Sequence, residues 1–255
     1  KTTYVLPVTI KSVEGIGVLQ SAKTYYYVFR GASLINVVCN ISRNRAYPDF
    51  KNDSKFNNLT ENTMEILFKA NSFPNTLNTL MGIESNYLLR IGDATIPNNQ
   101  LQVATSVNNC TSADLQLESG KWYHVAVAFN KGNVKVYING VEKLSGSTGK
   151  SSVSLGAKHT NEEDGSRCFW VGYSYKDDRY FDGVVSEVRI WNRALTAEEI
   201  QATNHFYTIE PESEGLIAYW KFDEGSGTVA KDYSVSGYDL TIEKEPKWES
   251  VSLPQ

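Results

Sequence analysis

The sequence predicts an all-β sandwich, and three observations carry that expectation. Runs of β-branched and aromatic residues recur along all 255 positions, tight-turn dipeptides separate the clearest of them, and only one helix start is signalled. With 41% hydrophobic and 21% charged residues, 18 Gly and 7 Pro, the composition is that of a globular chain and not of a disordered, collagenous or coiled-coil one.

Taken in order, Tyr4–Ile10 and Thr24–Phe29 are β-branched and aromatic runs separated by a Gly-containing stretch. Further strands are expected at Leu34–Asn40, Met64–Lys69, Tyr87–Ile91, Leu101–Ser106, Trp122–Phe129, Val134–Ile138, Phe169–Tyr175, Val184–Trp191 and Leu216–Phe222. The clearest local unit runs from Trp122 to Leu144. Lys131-Gly132-Asn133 and Asn139-Gly140 supply the positive-φ positions of tight hairpin turns, so three consecutive antiparallel strands follow. Within it Val134, Val136 and Ile138 alternate with Lys135 and Tyr137, the period of a strand with one face in the core. Thr196-Ala-Glu-Glu199 is a capping box that starts one short helix. Residues 41–60 and 145–167, rich in Ser, Asn, Asp, Lys and Gly, read as loops.

Several chemistries lack their residues. The net charge of −4 comes without a Lys/Arg stripe, so a nucleic-acid partner is not expected. No apolar run reaches the roughly 18 residues of a membrane-spanning helix, and Lys1-Thr2-Thr3-Tyr4 carries no signal-peptide apolar region. Cys39, Cys110 and Cys168 are an odd number with no C-x-x-C pair, which indicates no disulfide framework and leaves their pairing open. His124, His159 and His205 show no metal-ligand spacing, and no G-x-S-x-G is present. His124 is expected to hydrogen-bond a backbone carbonyl. The acidic run Asn161–Arg167 lacks the spaced carboxylates of an EF-hand loop.

The order of features then resembles a known family. Trp122-x-His124 with its Asn139-Gly140 hairpin, Phe169-Trp-Val-Gly172, and Phe181-Asp-Gly-Val-Val-Ser-Glu-Val-Arg-Ile-Trp-Asn-Arg-Ala-Leu-Thr-Ala-Glu-Glu-Ile200 are similar to the laminin-G-like (pentraxin-like) domains of the concanavalin A-like lectin/glucanase superfamily. Leu77–Asp93, Gly215–Gly227 and Trp248–Pro254 fit more loosely. The resemblance covers residues 32–255 and implies a two-sheet antiparallel jelly roll. Residues 1–31 are expected to be the last strands of a preceding small β domain, or a docked β segment, because too few strands lie there for a core of their own. The similarity looks closest to Bacteroidetes surface lipoproteins of glycan-utilisation systems, in which the chain extends further upstream. It implies non-catalytic glycan binding at the cell surface or on the outer membrane. A protein-interaction or adhesion domain is the alternative, with a glycoside hydrolase using an unfamiliar carboxylate pair behind it.

The superfamily's glucanases imply a strand-borne E-x-D-x-x-E cluster, since glycosidic cleavage needs two carboxylates about 5 to 9.5 Å apart. Here Glu187 stands alone on its strand, so an enzyme is not expected. Many members hold a structural calcium through an Asp where this chain has Ser186, which argues against the ion and for no cofactor; Asp223, Asp232 and Asp239 would be its turn carboxylates. Sugar binding needs an aromatic face for the pyranose ring and charged or amide groups for its hydroxyls. Tyr173-Ser-Tyr175-Lys-Asp177-Asp178-Arg179-Tyr180 joins outer aromatics, carboxylates and a guanidinium and is the first candidate. Tyr87 and Arg90, ahead of Gly92-Asp93, are the second.

Overall fold

The computed structural model describes the backbone of residues 3–7, 26–30, 35–159 and 167–253, with side chains from 36 to 159 and from 167 to 253 except 177. Its strands are β1 (Thr3–Pro7), β2 (Tyr26–Arg30), β3 (Ile35–Asn40), β4 (Ala46–Pro48), β5 (Glu61–Ala70), β6 (Asn78–Ile83), β7 (Tyr87–Asp93), β8 (Ile96–Thr105) and β9 (Asn109–Cys110). They continue with β10 (Trp122–Asn130), β11 (Asn133–Ile138), β12 (Val141–Ser147), β13 (Trp170–Val171), β14 (Gly183–Trp191), β15 (Leu216–Trp220), β16 (Val229–Ala230), β17 (Leu240–Ile242) and β18 (Lys247–Ser252). One short helix, α1 (Ala197–Ile200), lies between β14 and β15.

Two compact units divide the chain: Val37–Ser250, and Lys1–Asn36 with Val251–Gln255. In the smaller, β1 and β2 form an antiparallel ribbon from Thr3↔Arg30 to Pro7↔Tyr26. The larger is a jelly-roll sandwich. Its first sheet runs β12-β11-β10-β5-β14-β3-β18, with β15 also paired to β14, and its second runs β16-β17-β4-β13-β6-β7-β8-β9.

The alternation seen in sequence sets which side chains meet between the sheets. Met64, Ile66 and Phe68 of β5 and Val125, Val127 and Phe129 of β10 point into one core with Leu89 and Ile91 of β7 and Leu101 and Val103 of β8. Each such side chain contributes about 1.5–3 kcal/mol on burial. The β10–β11 hairpin forms as expected, with Lys131 and Gly132 at φ 48° and 96°, and Asn139 and Gly140 follow at 49° and 77°. The capping box also forms: Thr196 Oγ1 accepts from the Glu199 N–H at 3.3 Å and Glu199 Oε2 accepts from the Thr196 N–H at 2.9 Å.

Some element readings are corrected. Residues 41–60 contain β4 and a 3-10 turn, Ser54–Phe56, because Phe50 and Phe56 stack at 3.8 Å in the core and pull their polar surroundings into the fold. In 145–167, β12 continues to Ser147, and Val153 and Leu155 join the core; residues 160–166 lie outside the described ones, as does the end of the Tyr4–Ile10 run. The expected strand Phe169–Tyr175 is only Trp170–Val171, since Gly172 turns the chain at φ 79° and a Cβ there would stand 2.5 Å from Ile41 Cδ1. β6 gives no alternation because it is buried along its whole length.

Candidate binding face

The outer side of the second sheet carries the candidate site. On β7, Tyr87, Leu89 and Ile91 share the inward parity, so Arg90 points outward, beside Gln102 of β8 and Thr79 of β6. Arg90 donates from Nε to Gln102 Oε1 at 2.9 Å and from a terminal nitrogen to Asp93 Oδ2 at 2.5 Å. Glu84, in the turn between β6 and β7, lies 3.9 Å from Arg90 with one oxygen and 3.0 Å from Arg179 with the other. It thereby joins the two stretches singled out in sequence. Burial lowers the Arg90 guanidinium from its ordinary value, and the carboxylates of Asp93 and Glu84 oppose that shift.

Arg179 closes a 3-10 turn, Asp177–Arg179, that follows β13. Its guanidinium lies 4.7 Å from the Tyr175 ring centre and reaches the Tyr175 hydroxyl at 3.4 Å. Lys176 lies 5.4 Å from the same ring. Asp178 is exposed and 3.9 Å from Arg179; the side chain of Asp177 lies outside the described residues.

The rings of Tyr180, Tyr173, Trp170, Tyr47 and His159 form a continuous path. Tyr173 packs on Tyr180 at 4.8 Å and edge-on to Trp170 at 5.1 Å; Trp170 meets Tyr47 at 5.2 Å, and Tyr47 stacks on His159 at 3.5 Å. Arg45 covers Tyr173 at 4.6 Å and is held by Glu243 at 2.5 Å. Tyr47, Tyr175 and Tyr180 are half-buried, whereas Trp170 and Tyr173 are buried.

Glu84 and Arg179 thus bring Arg90 and Tyr175 together, while Tyr180 packs on Tyr173, and two residues are corrected. Tyr87 is a core residue at 0% exposure, because it shares parity with Leu89 and Ile91. Tyr173, at 2%, is packing beneath Tyr180 and not an outer ring. Glu84, Gln102, Arg45 and Tyr47 were missed. Tyr47 beside Pro48 in a polar segment gave an aromatic signal; nothing in the sequence tied Glu84 to Arg179.

Three other features bear on chemistry. His124 makes no hydrogen bond to a backbone carbonyl, and its ring stacks on Phe206 at 4.4 Å, 3.4 Å from Glu65 Oε1. Asp232 accepts backbone N–H groups of Tyr219, Ser234 and Tyr238 at 2.8–3.0 Å, and Asp239 accepts that of Asp232 at 2.8 Å, so both carboxylates organise the turn. A cleft of about 650 Å³ lies between the β10–β11 hairpin and residues 194–198, lined by Lys131, Lys135, Tyr137 and Glu198 among others. Its one ring, Tyr137, is 2% exposed and has no face to offer.

Two face-packed antiparallel sheets with these connections define the jelly-roll class. The chain belongs to the concanavalin A-like lectin/glucanases superfamily, whose model matches residues 44–201. Among solved structures it is similar to a Bacteroides ovatus protein described as a "putative carbohydrate binding protein", at 26% identity and a TM-score of 0.72, over 94% of this chain and 66% of that one. The chain thus spans just under two thirds of that protein's length. It is also similar to domain 4 of AbnA, a GH43 extracellular arabinanase from Geobacillus stearothermophilus, in complex with arabinotriose (22% identity, TM-score 0.46, 64% of this chain and 74% of that one). A third likeness is to a SAP-like pentraxin from Limulus polyphemus (15%, 0.45, 69% and 84%). No curated protein matches the chain. No helix among the described residues is long and apolar enough to cross a membrane.

Proposed function

We propose that this protein holds carbohydrate without cleaving it, through the face around Tyr175, Arg179 and Tyr180, as part of a cell-surface lipoprotein of a glycan-utilisation system. The observation that carries the reading is the half-buried Tyr175 ring against Arg179, whose guanidinium is linked through Glu84 to Arg90, with the half-buried Tyr180 next in the chain. A pyranose presents C–H groups to an aromatic ring and hydroxyls to fixed charged groups, and this face offers both within one patch. The likeness to the Bacteroides ovatus protein supports the same reading.

Hydrolysis fits the geometry poorly. Glu187 is not alone as its strand suggests: Arg189 stands between it and Glu65 on the neighbouring strand. Glu65 and Glu187 are however 0% and 5% exposed, and no sugar reaches them. Protein docking would call for a broad apolar patch, and the large apolar side chains exposed among the described residues are Val107, Val141, Val229 and Val235, on four different segments.

A glycan array followed by calorimetry tests the proposal on the wild-type chain and on Tyr175→Ala and Tyr180→Ala. Removing a stacked ring is expected to weaken a bound polysaccharide about tenfold. Wild-type affinity in both variants rejects this face, and binding to no polysaccharide moves the weight to a protein partner.

A further inference from the structure

The outer side of the first sheet buries a polar cluster that the glycan face does not use. β10, β5 and β14 are adjacent, with Ala126↔Glu65 and Arg189↔Glu65 in register, so Glu65 and Arg189 point to the same side and His124 stands diagonally across from Glu65. His205 arrives from the segment that follows α1, and its Nε2 is 2.6 Å from Glu65 Oε1. His124 Nε2 is 3.4 Å from the same oxygen. Glu65 Oε1 and a ring nitrogen of each histidine all lie within 4.8 Å of one another.

Three features set this cluster apart from an ordinary buried ion pair. His124 is 1% exposed, yet its Nδ1 has no hydrogen-bond partner and its Nε2 has only the long 3.4 Å approach to Glu65 Oε1. A buried imidazole left so loses its water without replacement, unless a lone pair is taken by something else. Next, the second carboxylate oxygen of Glu65 is already engaged. It accepts from Trp191 Nε1 at 2.7 Å and lies 3.7 Å from Arg189, which turns Oε1 toward the two imidazoles. Outer donors of this kind orient carboxylate ligands in metal sites. Finally, the charge permits a cation, because Arg189 faces two carboxylates, Glu65 and Glu187.

We propose that Glu65 Oε1, His124 Nε2 and His205 Nε2 form a zinc site that pins the segment after α1 to the first sheet. Two imidazoles and one carboxylate are a zinc donor set, and metal–ligand lengths near 2.0–2.2 Å place tetrahedral donors about 3.3 Å apart. The Glu65–His124 separation already fits, and the Glu65–His205 pair has to open by about 0.7 Å. Glu65, His124 and His205 are 0%, 1% and 5% exposed and Phe206 stacks on His124, so the ion is structural.

The test uses the full chain, unfolded with a chelator, refolded, and titrated with zinc and separately with cobalt(II). Stoichiometric zinc, a higher melting temperature and the intense visible bands of tetrahedral cobalt(II) are expected. His124→Gln and His205→Gln should each weaken zinc more than about 100-fold, and Trp191→Phe, which removes only the outer donor, about tenfold. A folded wild-type chain that takes up no zinc overturns the proposal, as does zinc retained at full affinity in both histidine variants. If those two variants do not fold, unchanged zinc affinity in Trp191→Phe overturns it instead.

Discussion

Asp182 shows what one side chain does for this fold. Its carboxylate accepts from Ser42 Oγ at 2.7 Å, from Ser72 Oγ at 2.5 Å and from Asn71 Nδ2 at 3.4 Å, tying the start of β14 to the ends of β3 and β5. Burial raises its carboxyl, but the donors from Ser72, Ser42 and Asn71 together outweigh that and leave it below the ordinary carboxylate range. The folded group ionises at lower pH than the unfolded one. Its stabilisation is therefore complete above the unfolded value and is lost as pH falls through the depressed one. Asp182→Asn should lower stability by about 1 kcal/mol at neutral pH and flatten the acid limb of the stability curve, as denaturant titrations at pH 3 to 7 would show. An unchanged acid limb would mean that other carboxylates set it. At this scale, parity was readable and neighbours were not. From sequence, Tyr87 joins Arg90 in a candidate site, although the spacing of Tyr87 to Leu89 and Ile91 puts it in the core and turns Arg90 outward. That Tyr173 lies beneath Tyr180 depends on the bend at Gly172, a matter of backbone path that residue type does not encode.

The helix after β14 is the element whose local signal and role coincide. It has one turn, too short to persist in water, so the cap and the burial of Ile200 must hold it. Arg193 adds a contact to Glu199 at 2.7 Å. Replacing Thr196 with Ala removes the acceptor for the Glu199 N–H and should cost about 1 kcal/mol, whereas Thr196→Ser should retain most of it. Thermal melts of the two variants make the comparison, and equal losses would place the effect in the lost methyl group. Hairpins and this cap were legible because both are fixed by residues within a few positions. The short elements β4, β16 and β17 were not, since two or three residues carry no period and form only where a neighbouring strand pairs with them.

For the whole molecule, an all-β sandwich followed from turn chemistry and alternation and its two-sheet jelly-roll form from the family resemblance, but the assembly of the candidate site followed from neither. Glu84 meets Arg179 across 95 positions of sequence, and Glu65 meets His205 across 140. Only strand order brings such pairs together, and one sequence does not state strand order. The same order encloses Cys39, which sits on β3 opposite Val185 of β14 with no exposed surface. Burial, with a smaller contribution from Glu224, pushes its thiol far above the ordinary value. Thiolate chemistry at Cys39 therefore waits for the sandwich to open as a unit. Peptide-resolved labelling with a thiol reagent should find Cys39 at least about a thousandfold slower in the native protein than in denaturant. Its rate should rise with added urea along the same curve as global unfolding. Fast labelling with the far-ultraviolet signal intact would instead locate a local opening between β3 and β14, and the sandwich would then not be one cooperative body.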